Sequence, residues 1–206
     1  LVEGIRNKIY GDIANYFTED GYDCFNKLIR YGNASIIGQP KYEFVTFGDL
    51  VICRSITMQF RFRNNKKFVE NVVFRFNEDN QIESLAFALT DVAQHDIMDN
   101  NDWDRDSKLT LLSFMEDYQT AYALGRIEYL ERIFSENALI ISGYKVFNKV
   151  SSDGVKLRGY THYDTMSKSQ YMAKLRRHFK TKEYINLNFT ETVFNQAGGI
   201  KDFFGI

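Results

Sequence analysis

In Arg54-Ser55-Ile56-Thr57-Met58-Gln59-Phe60-Arg61-Phe62-Arg63, polar and apolar residues alternate from Ser55 onward. In an extended chain successive side chains point to opposite faces. Ile56, Met58, Phe60 and Phe62 then share one face, and Ser55, Thr57, Gln59, Arg61 and Arg63 the other. A helix would scatter both sets around its circumference, so the stretch is a strand with one face in a core. The polar run Arg63-Asn64-Asn65-Lys66-Lys67 follows as a turn. Phe68, Glu70, Val72, Phe74 and Phe76 next oppose Val69, Asn71, Val73 and Arg75. Asn77-Glu78-Asp79-Asn80 turns again, and residues 82–89 make a further strand. Three long strands joined by short polar turns predict an antiparallel meander within residues 42–89. Apolar residues on both faces predict that part of the sheet is covered on both sides.

Upstream the period is helical. Ile5, Ile9, Ile13 and Phe17 recur four apart, which predicts a helix over residues 1–17. Thr18-Glu19-Asp20-Gly21 reads as a break, with Gly21 in the left-handed conformation. A shorter helix is expected over residues 22–31, then a strand at Ala34-Ser35-Ile36-Ile37. Downstream of the meander, residues 91–105 are rich in Asp and Asn and read as a linker. A helix is expected over residues 107–124, stopped by Gly125, and a second over residues 126–134. A strand over 137–146 follows, then a polar hairpin around Ser151-Ser152-Asp153-Gly154. Ser167 and Gln170 form a capping box that opens a third helix, with Met172, Leu175 and Phe179 inward. Residues 184–194 alternate as a strand, and Ala197-Gly198-Gly199 reads as a turn.

The composition fits an ordered chain. The 206 residues are 44% hydrophobic and 26% charged, with a net charge of −1, which argues against disorder. One proline and two cysteines exclude collagen-like and disulfide-scaffold classes. No apolar run reaches the ~20 residues of a membrane span. No global positive field is available to draw nucleic acid. Aromatic residues make up 16%, a share suited to a β-rich core or a concave pocket. Cys24 and Cys53 read as buried small hydrophobes, and no Cys/His spacing points to a metal.

At a constant offset of 104, Gly21 pairs with Gly125, Ile29 with Ile133, Asn33 with Asn137, Ala34 with Ala138, Ile36 with Ile140 and Ile37 with Ile141. The element order around them also repeats, which favours a tandem duplication. The stretch Phe114-Met115-Glu116-Asp117-Tyr118-Gln119-Thr120-Ala121-Tyr122 precedes Tyr129-Leu130-Glu131-Arg132-Ile133-Phe134-Ser135-Glu136-Asn137-Ala138. This order resembles the start of the nuclear-transport-factor-2-like superfamily, also called SnoaL-like or cystatin-like. The whole chain looks like a bacterial protein with two such modules. The resemblance implies an α+β fold of two cone-like modules, each with N-terminal helices packed on a strongly bent antiparallel sheet. Module one would cover residues 1–103, without a clear third helix, and module two residues 104–206, incomplete at its C-terminus. The first residues, Leu1-Val2-Glu3-Gly4, fit a processed product, which with the resemblance raises the expectation of a bacterial envelope or periplasmic location.

In that superfamily the cone mouth often holds a ligand, and some members place an acid/base pair there. The strands Ala34-Ser35-Ile36-Ile37 and Ala138-Leu139-Ile140-Ile141 supply no carboxylate, which weighs against catalysis. The candidate ligand-binding residues are Tyr118, Tyr122, Tyr160 and His162, with Tyr16 as a further tyrosine in the first half. His95 stands in an acidic segment and His178 on a basic helix with Arg176, Arg177, Lys180 and Lys182. No phosphate loop, dinucleotide fingerprint, nucleophile elbow or zinc-helix motif occurs, so no cofactor is expected. The expected role is a non-catalytic binding or interaction protein for a small apolar ligand or a protein partner, with homo-oligomers through sheet edges as a further expectation. The alternatives are a SnoaL-like enzyme or carrier using the second cone, and an anion or nucleic-acid binder through the basic helix.

Overall fold

The computed structural model describes residues 1–48, 50–62, 67–100, 102–147, 159–182, 184–185, 187, 189, 194–196 and 204–205. The chain forms two compact units. One comprises Leu1–Gly125 with residues 183–206, and the other Arg126–Lys182. The fold is α+β with antiparallel sheets.

The first unit is built on the meander. Strands β1 (Ser35–Ile36), β2 (Glu43–Phe47), β3 (Leu50–Arg61), β4 (Lys67–Phe76) and β5 (Ile82–Phe87) form one sheet in the order β1-β3-β4-β5. Strand β3 is long enough to pair β2 through Leu50–Arg54 and β1 through Met58 and Gln59 on the same side. Between Cys53 and Ile56 the β3–β4 register slips by a bulge, with Ser55 at φ 65°. The extra residue lets Cys53 and Ile56 face the same core, while Arg54 points the other way.

The expected inward face is observed. Ile56, Met58, Phe60, Phe62 and Phe74 are buried with Ile13, Phe17, Phe25, Leu28 and Ile29. Ile9, expected among them, is 68% exposed. The reason is that the first helix is short. Helix α1 spans only Val2–Asn7 and ends at Lys8 in the left-handed conformation, φ 58°. The chain then folds back, and Ile9 N–H donates to the Gly4 carbonyl at 3.0 Å.

Gly21 also differs from expectation. Helix α2 (Glu19–Phe25) begins before it, with the Thr18 hydroxyl accepting from Gly21 N–H at 3.1 Å. A Cβ on Gly21 would stand 1.9 Å from the Ile82 carbonyl oxygen. Glycine is used here for close approach of helix to strand rather than as a stop. The helix continues as one wider π-turn, Asn26–Arg30. Between β1 and β2 the described residues hold no helix.

The segment read as a linker is ordered. Helix α3 (Asp91–Met98) is capped by Thr90, whose hydroxyl accepts from Ala93 N–H, and it buries Ala93 and Ile97. With Leu89 and Trp103 these pack on Leu111, Leu112 and Met115 of helix α4 (Arg105–Ala123). The acidic residues occupy caps and solvent-facing positions, so their density is compatible with a helix. Gly125 ends α4 region at φ 64°, as expected.

Helix α4 covers the second sheet face through a buried ionic cluster. Arg54, Arg75 and Glu116 are 3%, 5% and 0% exposed. Arg54 donates to both oxygens of Glu116 and, at 3.1 Å, to Gln94 Oε1. Arg75 donates to Asp117 Oδ1 at 2.6 Å and lies 3.6 Å from Glu116 Oε2. Burial disfavours the Arg75 charge, but Asp117 first and Glu116 next outweigh it and hold the guanidinium above its ordinary range. Backbone N–H groups of Phe87 and Leu89 donate to Thr120 Oγ1 and Glu116 Oε1, so the end of β5 is tied to α4 as well.

The second unit holds helix α5 (Ile127–Ile133), hairpin strands β6 (Leu139–Phe147) and β7 (Gly159–Ser167), and helix α6 (Lys168–Thr181). The Ser167/Gln170 capping box is present, and Met172 and Leu175 are buried. Glu136 pairs with Lys168 at 2.5 Å and Glu131 with Arg176 at 2.5 Å. The hairpin tip around residues 151–154 and the turn at 197–199 lie outside the described residues. Tyr184, Ile185, Leu187, Phe189 and Phe194, expected in one strand, are not in a strand; Tyr184 instead stacks on Phe68 at 4.3 Å. Phe194 is instead buried with Trp103, Leu111, Leu112 and Met115, and Phe189 packs against the same cluster. Asn195–Gln196 (β8) and Phe204–Gly205 (β9) make a short pair.

Candidate functional site

Between α1 and the sheet of the first unit lies a cavity of about 340 Å³. Its size falls within the ~300–1,000 Å³ of small-molecule sites. Alternation along the strands builds the wall. Cys53, Ile56 and Met58 come from β3, Phe74 and Phe76 from β4, and Ile82 from β5. The bulge at Ser55 brings Cys53 and Ile56 to the same face. Helix α1 supplies Val2 and the fully buried Ile5, with Leu1 beside them. The early end of α1 turns the chain away before Ile9 and leaves this space unfilled.

The mouth is aromatic. Tyr16, Tyr42 and Phe44 line the cavity and remain 56%, 53% and 61% exposed. Asn80, in the β4–β5 turn, adds a carboxamide to the same rim. Cys53 is the one sulfhydryl among the described lining residues, and burial pushes its thiol up to about 11. It is therefore a neutral thiol at physiological pH and a poor nucleophile. Cys24 is also free and buried, with its Sγ donating to the Leu85 carbonyl at 3.3 Å.

The four residues singled out from the sequence fall into two pairs, one in each compact unit. Tyr118 and Tyr122, on α4, hydrogen-bond to each other through their hydroxyls at 3.2 Å. Tyr160 and His162 stand on β7. His162 Nε2 is 3.2 Å from Asp164 Oδ1, and its ring lies 5.2 Å from that of Tyr144. His162 and Asp164 keep 49% and 39% of their side-chain surface in solvent. None of the four is among the residues that line the cavity.

The sequence reading missed Tyr42, Phe44 and Asn80 as rim residues. A signal for the first two was present: an aromatic pair just ahead of a strand whose inward face is apolar. Among the described residues no group of three or more His, Cys, Asp or Glu side chains could hold a metal ion. No described helix is long and apolar enough to cross a membrane. No protein-family model, curated protein or solved structure matches the chain.

Proposed function

We propose that this protein is a non-catalytic binding protein whose first unit takes a small apolar molecule between α1 and the meander. The reading keeps the expected cone-module architecture, with the sheet as the cone wall and its aromatic rim as the mouth. The observation that carries it is the 340 Å³ cavity with an apolar back wall and three exposed aromatic rings at its entrance. Apolar pockets with few convergent polar groups are the usual form of a small-molecule site. The described lining holds no His, Asp, Glu, Lys or Arg side chain, and its titratable side chains are the phenols of Tyr16 and Tyr42 and the neutral Cys53 thiol, which favours binding over catalysis.

Titration with N-phenyl-1-naphthylamine, a neutral fluorophore that brightens in apolar surroundings, tests the proposal. A saturable rise with one site per chain is expected. Ile56→Phe, which fills the back of the cavity, should weaken binding at least tenfold. Phe44→Glu, at an exposed rim position that does not bear on folding, should weaken it several-fold. Absence of saturable binding, or binding indifferent to both changes in variants with unaltered circular dichroism, would overturn it.

A further inference from the structure

We infer that the second unit carries a self-association site: the free edge of β7 pairs antiparallel with β7 of a second copy of this chain, about a two-fold axis at Tyr163. This inference is independent of the binding reading above. Among the described residues β7 (Gly159–Ser167) pairs only with β6, so its other edge is open. Side chains along it reach solvent, those of Tyr160, His162 and Tyr163 among them. An open edge offers a row of backbone N–H and C=O groups, and proteins usually blunt it with Lys, Pro or a bulge. Strand β7 has no Lys, Arg or Pro. Its register against β6 runs from Gly159 to Ser167 without a slip. The β6 edge differs: it carries Lys145, and Gly143 at its middle has no side chain to pack.

The sequence of β7 names the occupant. Tyr163 is the central residue of its 9, and Thr161-His162-Tyr163-Asp164-Thr165 is self-complementary about it. When the strand pairs with its own copy about Tyr163, Thr161 stands opposite Thr165, His162 opposite Asp164, and Tyr163 opposite the second copy's Tyr163. Thr–Thr, opposite-charge and aromatic–aromatic pairs are the cross-strand combinations that stabilise a sheet. An axis at His162 or at Asp164 instead sets like groups opposite each other and shortens the ladder, which is unfavourable. Within one strand His162 Nε2 already lies 3.2 Å from Asp164 Oδ1, and Lys174 of α6 is 3.8 Å from Asp164 Oδ2. The pairing therefore alternates two imidazoles and two carboxylates on one face. Its product is a four-stranded sheet, β6-β7-β7-β6, in place of a hairpin of two strands, which is marginal in water on its own.

Sedimentation equilibrium of the intact chain tests the inference, with oxidative cross-linking to read the register. A monomer–dimer equilibrium in the micromolar range is expected. Tyr163→Cys should cross-link with its counterpart under copper-phenanthroline, because opposed Cα atoms of antiparallel strands are about 4.5–5.5 Å apart, within the span of a disulfide. Thr161→Cys, on the same face, should not, because its counterpart lies about 14 Å away along the strands. Cys24 and Cys53 are buried, so the introduced thiol is the accessible one. His162→Asp, which opposes carboxylates, should weaken dimerisation at least tenfold, and adding Asp164→His should recover most of the loss. A chain that stays monomeric throughout the micromolar range overturns the inference. So does a dimer that fails to cross-link at position 163, that cross-links equally at 161, or that is indifferent to His162→Asp in a variant with unaltered circular dichroism.

Discussion

Ser55 holds a left-handed backbone in the middle of a strand, at φ 65°, where an L side chain is strained. Its hydroxyl donates to Glu43 at an exposed site, a contact of small value. Ser55→Gly should therefore leave the bulge in place and stabilise the protein by about 1 kcal/mol, read from urea unfolding. A loss of stability would mean that the serine hydroxyl anchors the bulge. His95 offers a second test. It is fully exposed on α3, and the hydrogen bond to Asp99 and then that residue's charge raise its pKa above the ordinary histidine value. A raised folded-state pKa means that the contribution to stability is present in acid, below the unfolded value, and is lost as pH rises through the folded value. NMR titration should place the His95 midpoint above ~6.5, and Asp99→Asn should bring it down. An unmoved midpoint in Asp99→Asn would show that Asp99 is not the cause.

Helix α2 shows what an element's pattern reveals and what it hides. Alanine is a better helix former than glycine by about 1 kcal/mol, so Gly21→Ala should stabilise an isolated helix. In the protein the added methyl meets the Ile82 carbonyl, and the net loss should be ~1–3 kcal/mol by thermal or urea unfolding. A neutral result would mean that α2 can lift from β5 without cost. The strands were legible because Ser55–Arg61 of β3 buries one face only, and a period of two is visible wherever that holds. The Ser167 capping box was legible because it is local chemistry. The end of α1 was not, since Ile5 and Ile9 keep a helical spacing although the chain turns back at Lys8 and Ile9 N–H bonds the Gly4 carbonyl. Helix α3 was hidden by its aspartates, which cap and solvate it as readily as they would a loop. The cavity was hidden for a related reason: its wall residues were recognised as core, and only the early stop of α1 makes part of that core a space.

Across the molecule, α4 is bound to the meander by charges removed from water. Deleting Glu116 leaves the buried Arg54 guanidinium without its carboxylate, while Arg75 keeps Asp117, so Glu116→Leu should cost ~3–5 kcal/mol. Combining it with Arg54→Met should cost clearly less than the sum of the two single changes, as a double-mutant cycle in urea will show. Additive losses would mean that the pair is not coupled. The same cluster has a consequence during synthesis. Arg54 and Glu116 are 62 residues apart, a stretch that a ribosome takes roughly 3–12 s to translate at about 5–20 residues per second. From the synthesis of Arg75 until that of Glu116, both arginines stand in the chain without the carboxylates of Glu116 and Asp117 that hold them in the folded protein. The face that α4 covers in the folded protein therefore keeps its two guanidiniums in water until α4 is made.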